Sequence, residues 1–190
     1  MADPLGPSLV DLEGAGPTSP VDRHAAITAA FEMYHAELYS FLRRSTHDEG
    51  AAEDLLQETY LRLTREVEAG RLPDHVRGWL YRVASNLAIS RGRRSATVLS
   101  WLRRDAHRFV GGVVESPESA YLGRERTSAI DAALATLPAD ARTAMLLSAE
   151  GFSGEEIARA IGRSHGATRT MLSRARVQVR LELERHGDVR

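Results

Sequence analysis

Apolar residues recur every three or four positions along most of the chain, the spacing of one buried helix face. Ile27, Phe31, Tyr34, Leu38 and Phe41 mark the first stripe. Asp48 and Glu49 precede a second, carried by Leu56, Tyr60, Leu63 and Val67. Gly70 ends that helix and Pro73 prevents its continuation. A third helix is predicted from near Val76 and contains WLYRVASNLAISRGRR, Trp79 to Arg94. Trp79, Leu80 and Val83 share a face of it, and the segment ends in arginine. From about Ser95 to Pro117 the period is lost. Trp101, Leu102, Phe109, Val110, Val113 and Val114 are apolar without a clear repeat, and Gly111-Gly112 interrupts them. This stretch reads either as a linker with apolar anchors or as a short helix over Trp101 to Phe109.

Helical patterning resumes near Ala120 and runs through Leu134 and Leu137 to Pro138. Another helix is predicted over Ala141 to Ala149, where Gly151, Ser153 and Gly154 break it. Glu155 to Ile161 is a short helix closed by Gly162, and Ala167 to about Glu184 is the last. No segment reads as a strand and no repeat recurs. The predicted fold is all-α: two small helical domains joined by a flexible linker. The boundaries expected are a disordered tail over 1–21, a first domain over 22–95, a linker over 96–119 and a second domain over 120–186.

Composition narrows the chemistry. The 190 residues are 43% hydrophobic, enough for a packed core, and cysteine is absent. Disulfides, thiolate metal sites and cysteine nucleophiles are thereby excluded. The start, Met1-Ala2-Asp3-Pro4, lacks the basic and apolar regions of a signal peptide. No apolar run reaches membrane-spanning length. A cytoplasmic protein without membrane insertion is expected.

The net charge of −1 hides a segregated pattern. His75 to Arg104 holds seven arginines and no acid, and Ile157 to Leu181 holds six arginines and no acid. Asp22 to Asp74 holds eleven acids against six arginines. Two basic blocks and one acidic block predict two nucleic-acid-facing surfaces and one surface for a basic partner.

The segment EEIARAIGRSHGATRTMLSRAR has the spacing of a helix-turn-helix. Ile157 and Ile161 can pack on a following helix, and small Ala158 permits a close crossing. Gly162 suits the left-handed turn, and Ser164 can cap the next helix. Met171, Leu172, Ala175 and Val179 supply a buried side. Arg169, Thr170, Ser173, Arg174 and Arg176 remain for the exposed side, where arginine can read guanine edges or bind phosphates. Arg163 and His165, at the turn and the helix start, join the same DNA-facing set. Thr168 sits where such motifs usually place a branched apolar residue.

On the second helix, Asp54, Gln57, Glu58 and Leu61 share one polar-edged face. Taken with the two basic blocks, the sequence resembles a bacterial sigma factor of the extracytoplasmic-function group (group IV) of the sigma-70 family. EDLLQETYLRL resembles the core-polymerase-binding helix, with Asp54, Gln57, Glu58 and Tyr60 fitting its pattern. WLYRVASNLAISRGRR resembles the segment that melts and reads the minus-ten element. LPADARTAMLLSAEGFSGEEIARAIGRSHGATRTMLSRAR resembles the domain that reads the minus-thirty-five element. The two domains are thus region 2-like and region 4-like.

The resemblance implies roles and partners. Asp54, Gln57 and Glu58 would dock on the clamp helices of the largest subunit of core RNA polymerase. Ser85 and Asn86 match a loop that captures a flipped base of promoter DNA, and are expected to interrupt the helix. An amide can bond an exposed Watson–Crick edge, and single strands are held by rings and cations. Trp79 and Tyr81 offer rings; Arg82, Arg91, Arg93 and Arg94 offer charge. Trp79 is equally read as a core anchor. A cognate anti-sigma factor is an implied partner, and the chain would associate with the nucleoid when bound to polymerase. Ser90 departs from the family's usual aspartate, and Met171 from a frequent arginine.

Other chemistry finds little support. Glu32 and His35 form a single Glu-x-x-His pair, whereas di-iron bundles use two. No zinc spacing or phosphate-binding glycine loop occurs. No cofactor and no catalytic activity are expected. The rival readings are a helix-turn-helix regulator acting without polymerase and a helical metal-binding oxidase on Glu32 and His35.

Overall fold

The computed structural model describes residues 19–106 and 129–185. The predicted tail to residue 18, the helical pattern from Ala120 to residue 128, and the anchors Phe109, Val110, Val113 and Val114 lie outside them. The described residues form seven helices and no strand.

α1 spans Pro20–Thr46 and starts where a capping box forms. Ser19 Oγ accepts from the Asp22 N–H, Asp22 accepts from the Ser19 N–H, and Pro20 occupies the first turn. The helix ends at His47, whose left-handed backbone (φ 58°) lets its N–H reach the Arg43 carbonyl. Asp48 then caps α2, Glu49–Glu68, by accepting from the Ala51 N–H at 2.9 Å. Two residues therefore turn the chain into a helical hairpin, and Gly70 at φ 74° terminates it.

α3 spans Val76–Ala106. It runs past the boundary predicted at residue 95 and is continuous through Ser85 and Asn86, where an interruption was expected. No proline lies in it, and Ser or Asn costs only about half a kcal/mol each relative to Ala in a helix. Burial of Leu80, Tyr81, Ala84, Ala88 and Ile89 around these positions outweighs that cost.

The C-terminal unit comprises α4 (Ala129–Ala135), α5 (Ala139–Ala149), α6 (Gly154–Ile161) and α7 (His165–Arg185). α5, α6 and α7 each start one or two residues ahead of the apolar pattern; the Ser153 and Ser164 side chains cap the first turns of α6 and α7, and α5 starts directly after Pro138 without a side-chain cap. Ser153 and Glu156 form a second capping box at α6, and Gly162 closes it at φ 67°.

Both units share one contiguous core. Leu38, Leu42, Leu63, Val67 and Leu80 fill the N-terminal part; Leu147, Ile157, Ile161 and Leu172 fill the C-terminal part. Each such side chain contributes about 1.5–3 kcal/mol of burial. α3 is the shared wall. It packs on α1 and α2 on one side and on α5 and α6 on the other. Tyr81 links the halves, lying 5.1 Å (centroid to centroid) from both Phe41 and Phe152. Phe31 departs from the expected stripe: it is 45% exposed.

Candidate nucleic-acid interface

The α6–α7 pair is built as the spacing required. Ile157 and Ile161 are buried, as is Ala158. Ser164 Oγ accepts from the Ala167 N–H at 3.3 Å, capping α7. Thr168 is fully buried, and its hydroxyl donates to the Ser164 carbonyl at 3.0 Å. A threonine is therefore tolerated in the apolar seat because its one polar atom is satisfied by its own helix. Leu172 and Ala175 are buried, while Met171 and Val179 are half-buried against the core. Arg169, Thr170, Ser173, Arg174 and Arg176 all face solvent. Arg163 and His165 are exposed as well. Arg163 is held by an ion pair with Asp140, and Arg176 donates to Ser148 Oγ at 3.5 Å.

α3 divides its predicted residues between two faces. Arg82, Asn86, Ser90 and Arg94 succeed one another at four-residue spacing and are all exposed, with exposed Arg93 beside them. Trp79 is half-buried against the core near the start of this stripe, which agrees with its reading as an anchor. Arg94 Nε donates to the Ser90 carbonyl at 3.3 Å. Arg91 is exposed and 3.5 Å from Asp48. Two predicted DNA contacts lie on the other face. Tyr81 and Ser85 are both fully buried. Ser85 falls one position off the exposed stripe in an uninterrupted helix, and its hydroxyl is without a hydrogen-bond partner. Tyr81 is covered by the C-terminal unit, and its hydroxyl donates to Glu150 at 3.2 Å. Burial and the Glu150 carboxylate push the Tyr81 phenol well above its ordinary range.

On α2, Asp54 and Gln57 are exposed, and Glu58 accepts from Arg62 at 2.7 Å. Tyr60 is only 9% exposed, so it supports this surface from beneath. Its hydroxyl donates to the Ala30 carbonyl at 3.4 Å, and burial pushes its pKa up to about 12. Phe31 and His35 cover its ring, with centroids 5.1 and 6.5 Å away. Phe31, His35, Tyr39, Gln57 and Leu61 line a groove of about 530 Å³. Periodicity alone hid this feature, because Phe31 fits the apolar stripe; it lies at the edge of that stripe, which packing leaves open. Glu32 is exposed. Among the described residues no group of three or more His, Asp or Glu side chains is placed to hold a metal. No described helix is long and apolar enough to cross a membrane.

Comparison with known proteins matches this division of the molecule. Residues 30–98 match the Sigma-70 region 2 family and residues 127–179 match Sigma-70, region 4. The two helical units are thus sigma-70 units, in that order. The ECF RNA polymerase sigma factor SigE of Mycolicibacterium smegmatis is 32% identical over 155 residues, covering 80% of this chain and 60% of that protein. The RNA polymerase sigma-H factor of Pseudomonas aeruginosa is 33% identical over 152 residues, covering 75% of this chain and 78% of its own length. The sigma factor RpoE from Bartonella quintana, solved in complex with the anti-sigma factor NepR, superposes with a TM-score of 0.60 at 25% identity. That alignment covers 83% of this chain and 96% of RpoE. The chain belongs to the extracytoplasmic-function sigma factors of the sigma-70 family. It spans less than two thirds of the length of some relatives, SigE among them.

Proposed function

We propose that this protein directs RNA polymerase to promoters and helps open the duplex there. The reading rests on one observation: two sigma-70 units occur in order, each with a distinct charged face turned to solvent. Asp54, Gln57 and Glu58 present an acidic edge on α2 beside the Phe31–Leu61 groove. This edge and groove are the surface for the clamp helices of core polymerase. Tyr60 holds the groove's floor.

On α3, Arg82, Asn86, Arg93 and Arg94 form a stripe suited to one displaced strand. The arginines hold phosphates and the Asn86 amide reads a base edge. Opening the duplex costs a few kcal/mol, which binding energy supplies without hydrolysis by this chain. On α7, Arg169, Thr170, Ser173, Arg174 and Arg176 enter the major groove at the upstream element. Promoter DNA and core polymerase are the working partners. An anti-sigma factor is the expected regulator, since RpoE is held by one. The site of action is the cytoplasm.

Run-off transcription with purified core polymerase on a genomic library tests the reading and returns the promoter. Transcripts dependent on this chain are expected; none above core alone sinks it. Asp54→Ala and Glu58→Arg should each weaken association with core, and unchanged affinity in a titration would remove those residues from the docking surface.

A further inference from the structure

A cleft of about 470 Å³ opens beside the start of α3, within the size range of small-molecule sites. The turn before α3, the first two turns of α3 and α6 line it, and half-buried Trp79 gives it an aromatic wall. Part of its charge is already engaged. Arg77 is held between the Tyr81 and Phe152 rings, 4.9 and 4.8 Å from their centroids, and donates to the Glu150 carbonyl at 3.1 Å. The Glu156 carboxylate accepts from the Ser153 N–H at 2.8 Å and from Ser153 Oγ at 2.7 Å. Those bonds first, and then the Arg159 charge, hold the Glu156 carboxyl below its ordinary range.

Asp74, Arg82 and Arg159 remain for a ligand. All three line the cleft and are exposed, and none has a hydrogen bond or ion pair with another described residue. Asp74 stands just before α3. Arg82 lies about 9 Å of helix rise beyond Val76, the order of distance between the base edge and the phosphate of an extended nucleotide. Arg159 faces the same space from α6. Gly78 also lines the cleft. Its backbone is not left-handed, and a β-carbon there would meet only the His75 β-carbon at 4.0 Å. Nothing inside the protein requires glycine at this position, where it weakens the helix relative to alanine. A bare backbone does allow a ligand to approach the helix closely.

We propose that this cleft binds a guanine nucleotide: the base lies along Trp79 and over Gly78, the Asp74 carboxylate accepts from its edge, and Arg82 and Arg159 hold its phosphates. Guanine carries the N1–H and an exocyclic amino group side by side, two donors that one carboxylate can accept. Adenine presents an acceptor at N1 and leaves the carboxylate unpaired. Guanidinium forks match phosphate oxygens. The inference goes beyond the polymerase reading. Arg82 is shared with the strand-binding stripe, whereas Asp74, Gly78 and Arg159 belong to no promoter-facing or polymerase-facing set.

The chain has two tryptophans, so Trp101→Phe leaves Trp79 as the sole donor for energy transfer to the fluorophore of mant-GDP. In the full-length protein with that substitution, mant-GDP should give saturable transfer. Unlabelled GDP should displace it at least about tenfold better than ADP or inorganic pyrophosphate. Asp74→Asn and Arg159→Ala should each weaken binding about tenfold or more. Asp74→Asn should also narrow the preference for GDP over ADP, which a merely structural role would not do. Gly78→Ala should weaken binding while the thermal unfolding midpoint stays or rises. Arg180→Ala, exposed on α7 and outside the cleft, should bind as the parent does.

Absence of transfer at millimolar mant-GDP overturns the proposal, as does equal binding by the Asp74→Asn and Arg159→Ala variants. Equal displacement by ADP or by pyrophosphate overturns the guanine assignment. Displacement by a short single-stranded DNA with no effect of unlabelled GDP would make the cleft a strand subsite and overturn it too. Binding is measured on the free chain, so its failure leaves the polymerase reading standing, and failed run-off transcription leaves the nucleotide site standing.

Discussion

The two arginine-rich helices differ in what engages them. On α7, every residue assigned to reading DNA is exposed, and the helix is held from its other side by Thr168, Leu172 and Ala175. On α3, the protein uses part of the assigned set itself. Tyr81 and Ser85 are buried, and Arg91 faces Asp48. A recognition helix needs one free face and one anchored face. α3 is instead a wall between two units, and a wall has less surface to give. The same residue types therefore signal binding on α7 and a mixture of binding and packing on α3.

The largest test breaks the anchored side of the helix-turn-helix. Ile157 is fully buried between α6 and α7. Ile157→Ala should cost about 2–5 kcal/mol through lost burial and a residual cavity. Thermal unfolding should show the loss, and upstream-element binding should fall with it. Retained stability would mean that α7 is held by something other than this core.

The free side of α7 comes next. Arg174→Ala should weaken binding to the upstream element by about 1–3 kcal/mol if it reads a base. If it contacts phosphate, the loss should be uniform across sequences and the salt slope should fall by about one. Arg91→Ala on α3 should cost less in binding of the displaced minus-ten strand, because that arginine already faces the Asp48 carboxylate. Equal effects of the two substitutions would erase the contrast between the helices.

Where local chemistry sets the structure, part of it was legible. Asp48 and Gly162 read as helix ends and act as such, whereas the capping boxes Ser19–Asp22 and Ser153–Glu156, which start their helices ahead of the apolar pattern, were not read from the sequence. The helix-turn-helix is almost wholly of this kind, so its exposed set could be read off the spacing. The faces of α3 depend on what packs against it from distant parts of the sequence, Phe41 on one side and Phe152 on the other. Tyr81 is buried by Phe152 and Glu150, and no local pattern announces that. Ser85 and Asn86 adjoin in sequence yet differ fully in exposure, since neighbours on a helix point about 100° apart. Phe31 errs the other way, an aromatic on the periodic stripe that no neighbouring helix covers.

Ser85 sharpens the point with a smaller effect. Its hydroxyl is buried and unpaired, and such a group costs about 1–3 kcal/mol of desolvation. Ser85→Ala should therefore leave stability unchanged or raise it, as read by denaturant midpoint. Asn86→Ala, one position on, should leave stability nearly unchanged and impair strand opening. Permanganate footprinting should show weakened melting for Asn86→Ala and normal melting for Ser85→Ala. The reverse ranking would mean that α3 presents its other face to DNA.

The smallest expected effect is a pH dependence at the hairpin end of the interface between the units. His47 Nε2 donates to the Asp131 carbonyl, and Nδ1 accepts from Arg142 at 2.9 Å. That pattern requires the neutral ring with its proton on Nε2. Burial lowers the His47 pKa first, the Arg142 and Arg44 cations lower it further, and the Asp131 carbonyl and carboxylate oppose them. A histidine with a depressed folded pKa contributes stability above its unfolded value of about 6.5 and loses it as pH falls through the folded value. A proton on Nδ1 would also face the Arg142 donor. Acidification below about pH 6.5 should thus lengthen the distance between probes placed at Ser40→Cys on α1 and Val177→Cys on α7 in the full-length protein. His47→Gln, which keeps a donor and an acceptor but does not titrate, should flatten that response. A pH response of equal size in the variant would place the sensitivity elsewhere.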